Sequence, residues 1–337
     1  MSLFNTHIML AAVNNTPMTN LFLLKRFFPV VTQSQDEEIH FDVITKRRRL
    51  APFVSPVTAG KIVESAGRDV KTFKPAYIKD KRIFSADRPL KRIAGEDIGG
   101  TFSPGHRIER LLVDDLQDQI TMIDRRLETM AAEILITGAV TIEGELYPAQ
   151  NVNFGRDNDL TITLTGTNRW NDHSSNPLDD LQDWSQLVLQ KSGVLANDVV
   201  MSLDVWKIFR VHPIVAAELA RLRSNSSLQP NALNTEGGLF MGTINGFNIF
   251  VYSSWYVDDT GIEKPIFHDK TVVMSSSAMQ GIRAFGAIRD DEAGYQALPY
   301  YPKSWTDPDP SLRYLLMQSA PLLVPQVANG SLSAAVL

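Results

Sequence analysis

Six histidines, His7, His40, His106, His173, His212 and His268, are the side chains here best suited to hold a metal or carry a proton. No two of them stand at the i, i+4 spacing that sets a ligand pair on one helical face, so they read as surface or hydrogen-bonded structural residues. Cysteine is absent from all 337 residues, which removes disulfides, thiolate metal sites and cysteine nucleophiles together. Gly60-Lys61 fails as a phosphate loop, because Ser55 stands where the first glycine belongs and Ile62 where Ser or Thr belongs. Gly99-Gly100 and Gly105 lack dinucleotide spacing, and Ser65 has no Gly-x-Ser-x-Gly frame. Asp36-Glu37-Glu38, Asp114-Asp115 and Asp290-Asp291-Glu292 could pair carboxylates for acid–base work or magnesium, but solvated faces account for them better. Asp258-Asp259-Thr260-Gly261 lacks the spacing and the terminal glutamate of a calcium loop. No catalytic, cofactor-binding or metal-binding residue is expected, and the chain is not read as an enzyme.

Charge is the stronger signal. The net −5 divides into +10 over residues 46–92 and −15 over the remainder. The basic section opens with Lys46-Arg47-Arg48-Arg49 and passes through Pro52, Pro56, Gly60, Gly67, Pro75 and Pro89 without helical periodicity. Its strand-like pieces, Thr72 to Ile78 and Lys81 to Phe84, are short, and its apolar content is too low for a private core. An extended arm or long hairpin lying on something else is the reading. A nucleic-acid-binding protein using this segment is the alternative, since clustered Lys and Arg neutralise phosphates, but no recognition helix or stacking aromatics accompany the run. Pairing with acidic surface on a neighbouring copy is favoured. That assigns Lys46, Arg47, Arg48, Arg49, Lys71, Lys74, Lys79, Lys81 and Arg82 as candidate contacts between copies, with Asp114, Asp115 and Asp118 as candidate acidic partners.

The elements that position these charges are legible in part. Leu112, Leu116, Ile120, Ile123, Leu127, Met130 and Ile134 recur at steps of three or four, which predicts one amphipathic helix from His106 to Thr137. Ser103 suits its cap, Pro104 its first turn and Gly138 its end. Strands are predicted at Val140 to Ile142, Tyr147 to Phe154 and Leu160 to Leu164. Asn176 caps a second helix that has Pro177 first, Asp179 and Asp180 in its opening turn, and Gly193 at its close. A buried strand at Val199 to Leu203 and helical patterns at Asp204 to Val211 and Pro213 to Leu222 make this an α+β or α/β unit. Arg223 to Gly238 reads as a loop. Asn245-Gly246 predicts a hairpin between Leu239 to Ile244 and Phe247 to Tyr252, and a second hairpin is expected at Asp258 to Gly261. Strands at Val272 to Ser275 and Arg313 to Gln318 flank a Pro-rich break at Pro299 to Pro310. The apolar run Leu21 to Phe28 is interrupted by Lys25 and Arg26 and is too short to cross a bilayer, so no membrane association is expected.

Several segments carry a resemblance, and they occur in collinear order: LFLLKRFFP (Leu21 to Pro29), FVSPVTAGKIVESAG (Phe53 to Gly67), FKPAYIK (Phe73 to Lys79), NPLDDLQDW (Asn176 to Trp184), YPKSW (Tyr301 to Trp305) and QSAPLLV (Gln318 to Val324). Through them the sequence resembles the phage major capsid protein E family almost from end to end. The resemblance implies the Hong Kong 97-type capsid fold, α+β in class. Its parts map as an N-terminal arm at 1–38 and an extended loop at 46–100. A peripheral domain would take 39–45, 101–170 and 310–337 with a spine helix at 106–137, and an axial domain 171–309. It also implies a virion protein assembled in the host cytoplasm into hexamers and pentamers of an icosahedral shell, first as a procapsid and then expanded around packaged DNA. Portal, scaffold and decoration proteins are the implied partners. No lysine–asparagine cross-linking motif is identifiable, so the shell is expected to be noncovalent.

Overall fold

The computed structural model describes residues 4–15, 21–36, 38–44, 51, 53–54, 56, 68–85, 87–97, 99–144, 147–221, 238–258, 260–267, 270–309 and 312–337. The first third contains α1 (Thr6–Asn15), α2 (Phe22–Phe27), β1 (Val30–Gln33), β2 (Ile39–Ile44), β3 (Arg68–Phe73) and β4 (Ile78–Ser85), and leads into α3 (Pro104–Thr137). Then come β5 (Ala139–Gly144), β6 (Tyr147–Asn153), β7 (Thr161–Thr163), α4 (Pro177–Ser192), β8 (Asp198–Ser202), α5 (Leu203–Phe209) and α6 (Pro213–Arg221). The last third is strands: β9 (Gly238–Ile244), β10 (Phe247–Tyr252), β11 (Trp255–Val257), β12 (Glu263–Pro265), β13 (Thr271–Ser275), β14 (Ile282–Phe285), β15 (Tyr301–Asp307), β16 (Leu312–Ser319), β17 (Pro321–Val324) and β18 (Leu332–Ala335).

The 34-residue α3 forms as its sequence demands. The Ser103 hydroxyl accepts from the His106 N–H, Pro104 occupies the first turn, and all seven predicted apolar positions are buried. At ~1.5 Å per residue the helix is about 50 Å long. Its C-terminal end is closed twice. Gly138, at φ +75°, donates its N–H to the Ile134 carbonyl at 2.8 Å. Behind it the buried Arg156 guanidinium donates to the carbonyls of Leu135 (2.8 Å) and Ile136 (2.5 Å), and to the hydroxyls of Thr161 (2.7 Å) and Ser333 (3.2 Å). No carboxylate pairs with Arg156 among the described residues; the negative end of the helix is its counter-charge. Burial still draws its pKa down to about 10.

Six strands in the order β7-β18-β13-β8-β10-β9 form the largest sheet, with β8 parallel to β10 and β18 parallel to β7. Both β8 and β13 are buried throughout, which explains their continuous apolar runs. Val199, Met201, Val272 and Met274 face a core shared with Trp170, Trp184 and Phe209, while Val200, Phe250, Tyr252 and Val273 face a second core built around α3 and α2. One sheet therefore joins two cores. The α3 core is completed by two three-stranded sheets, β1-β14-β17 and β15-β16-β4. The Asn245-Gly246 hairpin forms with both residues at positive φ, as the two-residue turn requires.

Several expectations meet a different structure. Thr72 to Ile78 is not one strand: pairing stops at Phe73, where Pro75 cannot donate, and restarts at Ile78. The Pro-rich stretch holds β15, paired residue by residue with β16; Pro302 sits in it as an edge-strand residue. Within the expected arm, Phe22, Leu23, Leu24, Phe27 and Phe28 lie in the core, because so apolar a run is stable only out of water. β7 and β18 belong to the six-stranded sheet, and β14 pairs with β1 and β17 beside α3.

A Cβ on Gly138 would stand 2.6 Å from the Arg156 Cβ, so the glycine is required by space as well as by φ. Gly138→Ala and Arg156→Met should each lower stability by about 1–3 kcal/mol, through backbone strain in one case and orphaned helix carbonyls in the other. Urea titration of the unassembled chain measures this, and wild-type midpoints for both variants would show that the double closure does not hold the helix end.

Candidate functional site

Buried polar residues flank the apolar stripe of α3 on both sides: Asp115, Gln119, Asp124 and Glu128. Asp115 and Gln119, four apart, border one side of that stripe, and Asp124 and Glu128, also four apart, border the other, because the nine residues from Asp115 to Asp124 turn the helix by about 180°. Each fastens a different part of the chain. Both oxygens of Asp115 accept from Arg88, at 2.6 and 3.0 Å, and its Oδ1 lies 3.6 Å from Arg82. Gln119 donates to the Asp80 carbonyl at 3.0 Å. Asp124 accepts a short hydrogen bond from the Tyr300 hydroxyl, whose pKa is driven up by burial and then by this carboxylate. Glu128 accepts from the N–H groups of Leu23 (2.8 Å) and Leu24 (3.0 Å) at the start of α2, and from the Tyr252 hydroxyl (2.9 Å).

Against this frame the candidate contact residues separate. Lys46, Arg47, Arg48 and Arg49 lie outside the described residues, as does the Lys71 side chain on β3. Lys74 and Lys79 are exposed, the latter 5.2 Å from the Tyr77 ring. Lys81 stands 4.1 Å from the Tyr314 ring centroid and 5.4 Å from that of Trp305, two rings that stack on each other. Arg82 points to the other face of β4 and meets Asp118 at 2.7 Å and Asp80 at 3.1 Å. Arg82, Asp115 and Asp118, expected as contacts between copies, pair with one another within the chain, and Asp115 is buried instead of lying on the polar face. Alternation along β4 is the cause, since it turns Ile78, Asp80, Arg82 and Phe84 toward α3 and leaves Lys79, Lys81 and Ile83 outward. Asp114 remains exposed.

Sequence reasoning missed Arg88, the pairing of buried Glu96 with half-buried Arg107, and the roles of Asp124 and Glu128. The legible trace was two i, i+4 polar pairs, Asp115 with Gln119 and Asp124 with Glu128, bordering the apolar stripe. Glu96 accepts from Arg107 at 2.6 and 3.0 Å and from the N–H groups of Phe102 and Ile93, which ties the segment before α3 to its first turn. The Arg107 hydrogen bonds outweigh the opposing effect of burial and, with the two backbone N–H groups, hold its pKa at about 2 against an ordinary 4.5. Among the described residues no group of three or more His, Asp or Glu could hold a metal ion, and no helix is long and apolar enough to cross a membrane.

The family model of phage major capsid protein E matches residues 5–336. The chain belongs to the phage major capsid protein E family. It is 30% identical to the major capsid protein of Enterobacteria phage P21 and 28% identical to that of Escherichia phage lambda, each over 96% of both chains. The solved structure of a candidate capsid protein from an Escherichia coli CFT073 prophage superposes with a TM-score of 0.77 at 24% identity, covering 99% of each chain. The fold is the Hong Kong 97-type capsid fold, and like its family the chain is a structural, shell-forming virion component and not an enzyme. In capsid terms α3 is the spine, and its buried polar residues are engaged within the chain.

Two outcomes test the frame. Asp115→Asn should cost about 1–2 kcal/mol, kept small by the partial exposure of both arginines, and should be non-additive with Arg88→Met. Additivity in a denaturation double-mutant cycle would mean that the pair does not couple. The depressed Glu96 pKa makes its contribution full above pH 4.5 and lost as pH falls toward 2. Glu96→Gln should therefore melt below wild type at pH 6, with the gap closing between pH 4.5 and 2; a constant gap excludes the assignment.

Proposed function

We propose that the chain closes into hexamers and pentamers of an icosahedral shell around double-stranded DNA, and that its basic ribbon is laid over an adjacent copy. The observation that carries this reading is the pairing of β2 with β3, from Ile39 opposite Phe73 to Ile44 opposite Arg68, as a two-stranded sheet bonded to no other strand among the described residues. Two strands alone are marginally stable in water, so such a ribbon gains from a surface to lie on. Between its strands runs the most cationic sequence of the chain, Lys46 to Arg49, while the remainder outside 46–92 carries −15. With Arg82 engaged inside its own chain, the contact between copies falls to Lys46, Arg47, Arg48, Arg49, Lys71, Lys74, Lys79 and Lys81, opposite acids such as Asp114.

In this arrangement 46–100 supplies the extended loop, α3 and the sheets beside it the peripheral domain, and most of 171–309 the axial domain. Portal, scaffold and decoration proteins complete the assembly, and packaged DNA is touched without sequence preference. Single surface ion pairs contribute about 0–1 kcal/mol, but a closed shell repeats the contact in every copy.

Negative-stain microscopy of the purified chain should reveal capsomers, tubes or closed shells. Replacing Lys46, Arg47, Arg48 and Arg49 together by alanine should weaken them most at low salt, where attraction reaches about 30 Å instead of about 8 Å. Variant shells equal to wild type at every ionic strength would refute the electrostatic contact, and a chain that stays monomeric at all concentrations would refute self-assembly.

A further inference from the structure

An open groove of about 820 Å³ lies between the start of β4, the middle of α3 and the β11–β12 hairpin. Its walls combine two features that a surface left to water does not need. The first is apolar: Trp255 and Val257 are 56% and 61% exposed on one side, and Met122 is 47% exposed on α3 opposite. Ile262, 58% exposed, extends the apolar character along the hairpin. The second is cationic: Arg125, Arg126 and Lys79 line the groove, and none of them makes an ion pair among the described residues. Of the carboxylates there, Asp80 is already engaged by Arg82, which leaves Glu263 against three cations.

The groove also lies between two sheet edges that no further strand covers among the described residues, the Asp80 carbonyl on the β4 edge being taken by Gln119. There β4 pairs only with β16, and β11 only with β12. Unpaired edges offer backbone donors and acceptors to an added strand, and alternate side chains of that strand would enter the groove. The hairpin is held rigid for such a role: Asp258 accepts from Thr260 and Ile262 and pairs with Lys264 at 2.8 Å.

We propose that this groove docks an extended, acidic segment of a partner protein, with apolar residues alternating between its carboxylates. The apolar side chains cover Met122, Trp255 and Val257, and the carboxylates meet Arg125, Arg126 and Lys79. Charge complementarity selects this occupant. The ribbon of a second copy is cationic and would meet like charge, and duplex DNA, its bases stacked inside, has no side chains to cover Met122 and Val257.

Fluorescence anisotropy with the unassembled full-length chain tests this, whether or not shells form. The probe is a labelled heptapeptide alternating aspartate with valine, and its control replaces aspartate by lysine. The acidic peptide should bind at least about tenfold more tightly than the control. Arg125→Glu with Arg126→Glu should weaken it about tenfold or more, and Trp255→Ala should weaken it too. Arg110→Glu, on an exposed part of α3 outside the groove, should leave it unchanged. Because the arginine pair is at the surface, its variant keeps the test valid if Trp255→Ala unfolds, with melting curves as the check. Equal binding of the two peptides, or wild-type affinity in the arginine variant, would overturn the proposal. So would displacement by duplex DNA, which would assign the groove to nucleic acid, or loss of peptide binding as chain concentration rises, which would assign it to a second copy.

Discussion

The buried carboxylate of Glu128 is the contact on which the rest of the molecule depends. A charge removed from water is tolerated only when hydrogen bonds replace its hydration, and here they come from the first turn of α2 and from a tyrosine of β10. A single side chain on the spine helix thus joins the N-terminal segment to the six-stranded sheet. Arg26 of α2 adds a second tie to that sheet through Asp198, at 2.6 Å, and Asn248 completes the arrangement at 2.8 Å. Apolar burial supplies most of the stability, but these polar contacts decide where α2 sits.

For a shell subunit, the charges satisfied within the chain matter as much as those that are not. Asp115, Asp118, Glu96, Arg82, Arg88 and Arg107 are all used to fix β4 and its following segment on the spine. They form a rigid platform, and what it presents outward is lysine on β4 beside stacked aromatic rings of β15 and β16. Platform and ribbon thus divide the basic section. One half belongs to the subunit, and the other, on the proposed reading, belongs to its neighbour.

Local signals carried much of this structure. Ser103, Pro104 and Gly138 bounded the spine, and Asn176, Pro177 and Gly193 bounded α4, because caps and turns depend on residues within a few positions. The Asn245-Gly246 turn was legible for the same reason. What escaped was long-range. The partner of Glu128 lies more than a hundred residues away at Leu23, and Arg156 meets Ser333 across a comparable gap. Buried acids on α3 looked solvated because a helical pattern reveals which face is polar but not what packs on it. A charge count could not separate Arg82 from Lys81, since one residue of strand register sends them to opposite faces.

β18 has a temporal implication. Leu332–Ala335 is an interior strand, flanked by β7 and β13, and the carbonyl of Ile136 and the Arg156 guanidinium both bond to Ser333. Neither the six-stranded sheet nor the capped end of the spine can be finished until residue 335 has left the ribosome. A nascent chain therefore lacks its final form until these residues have emerged.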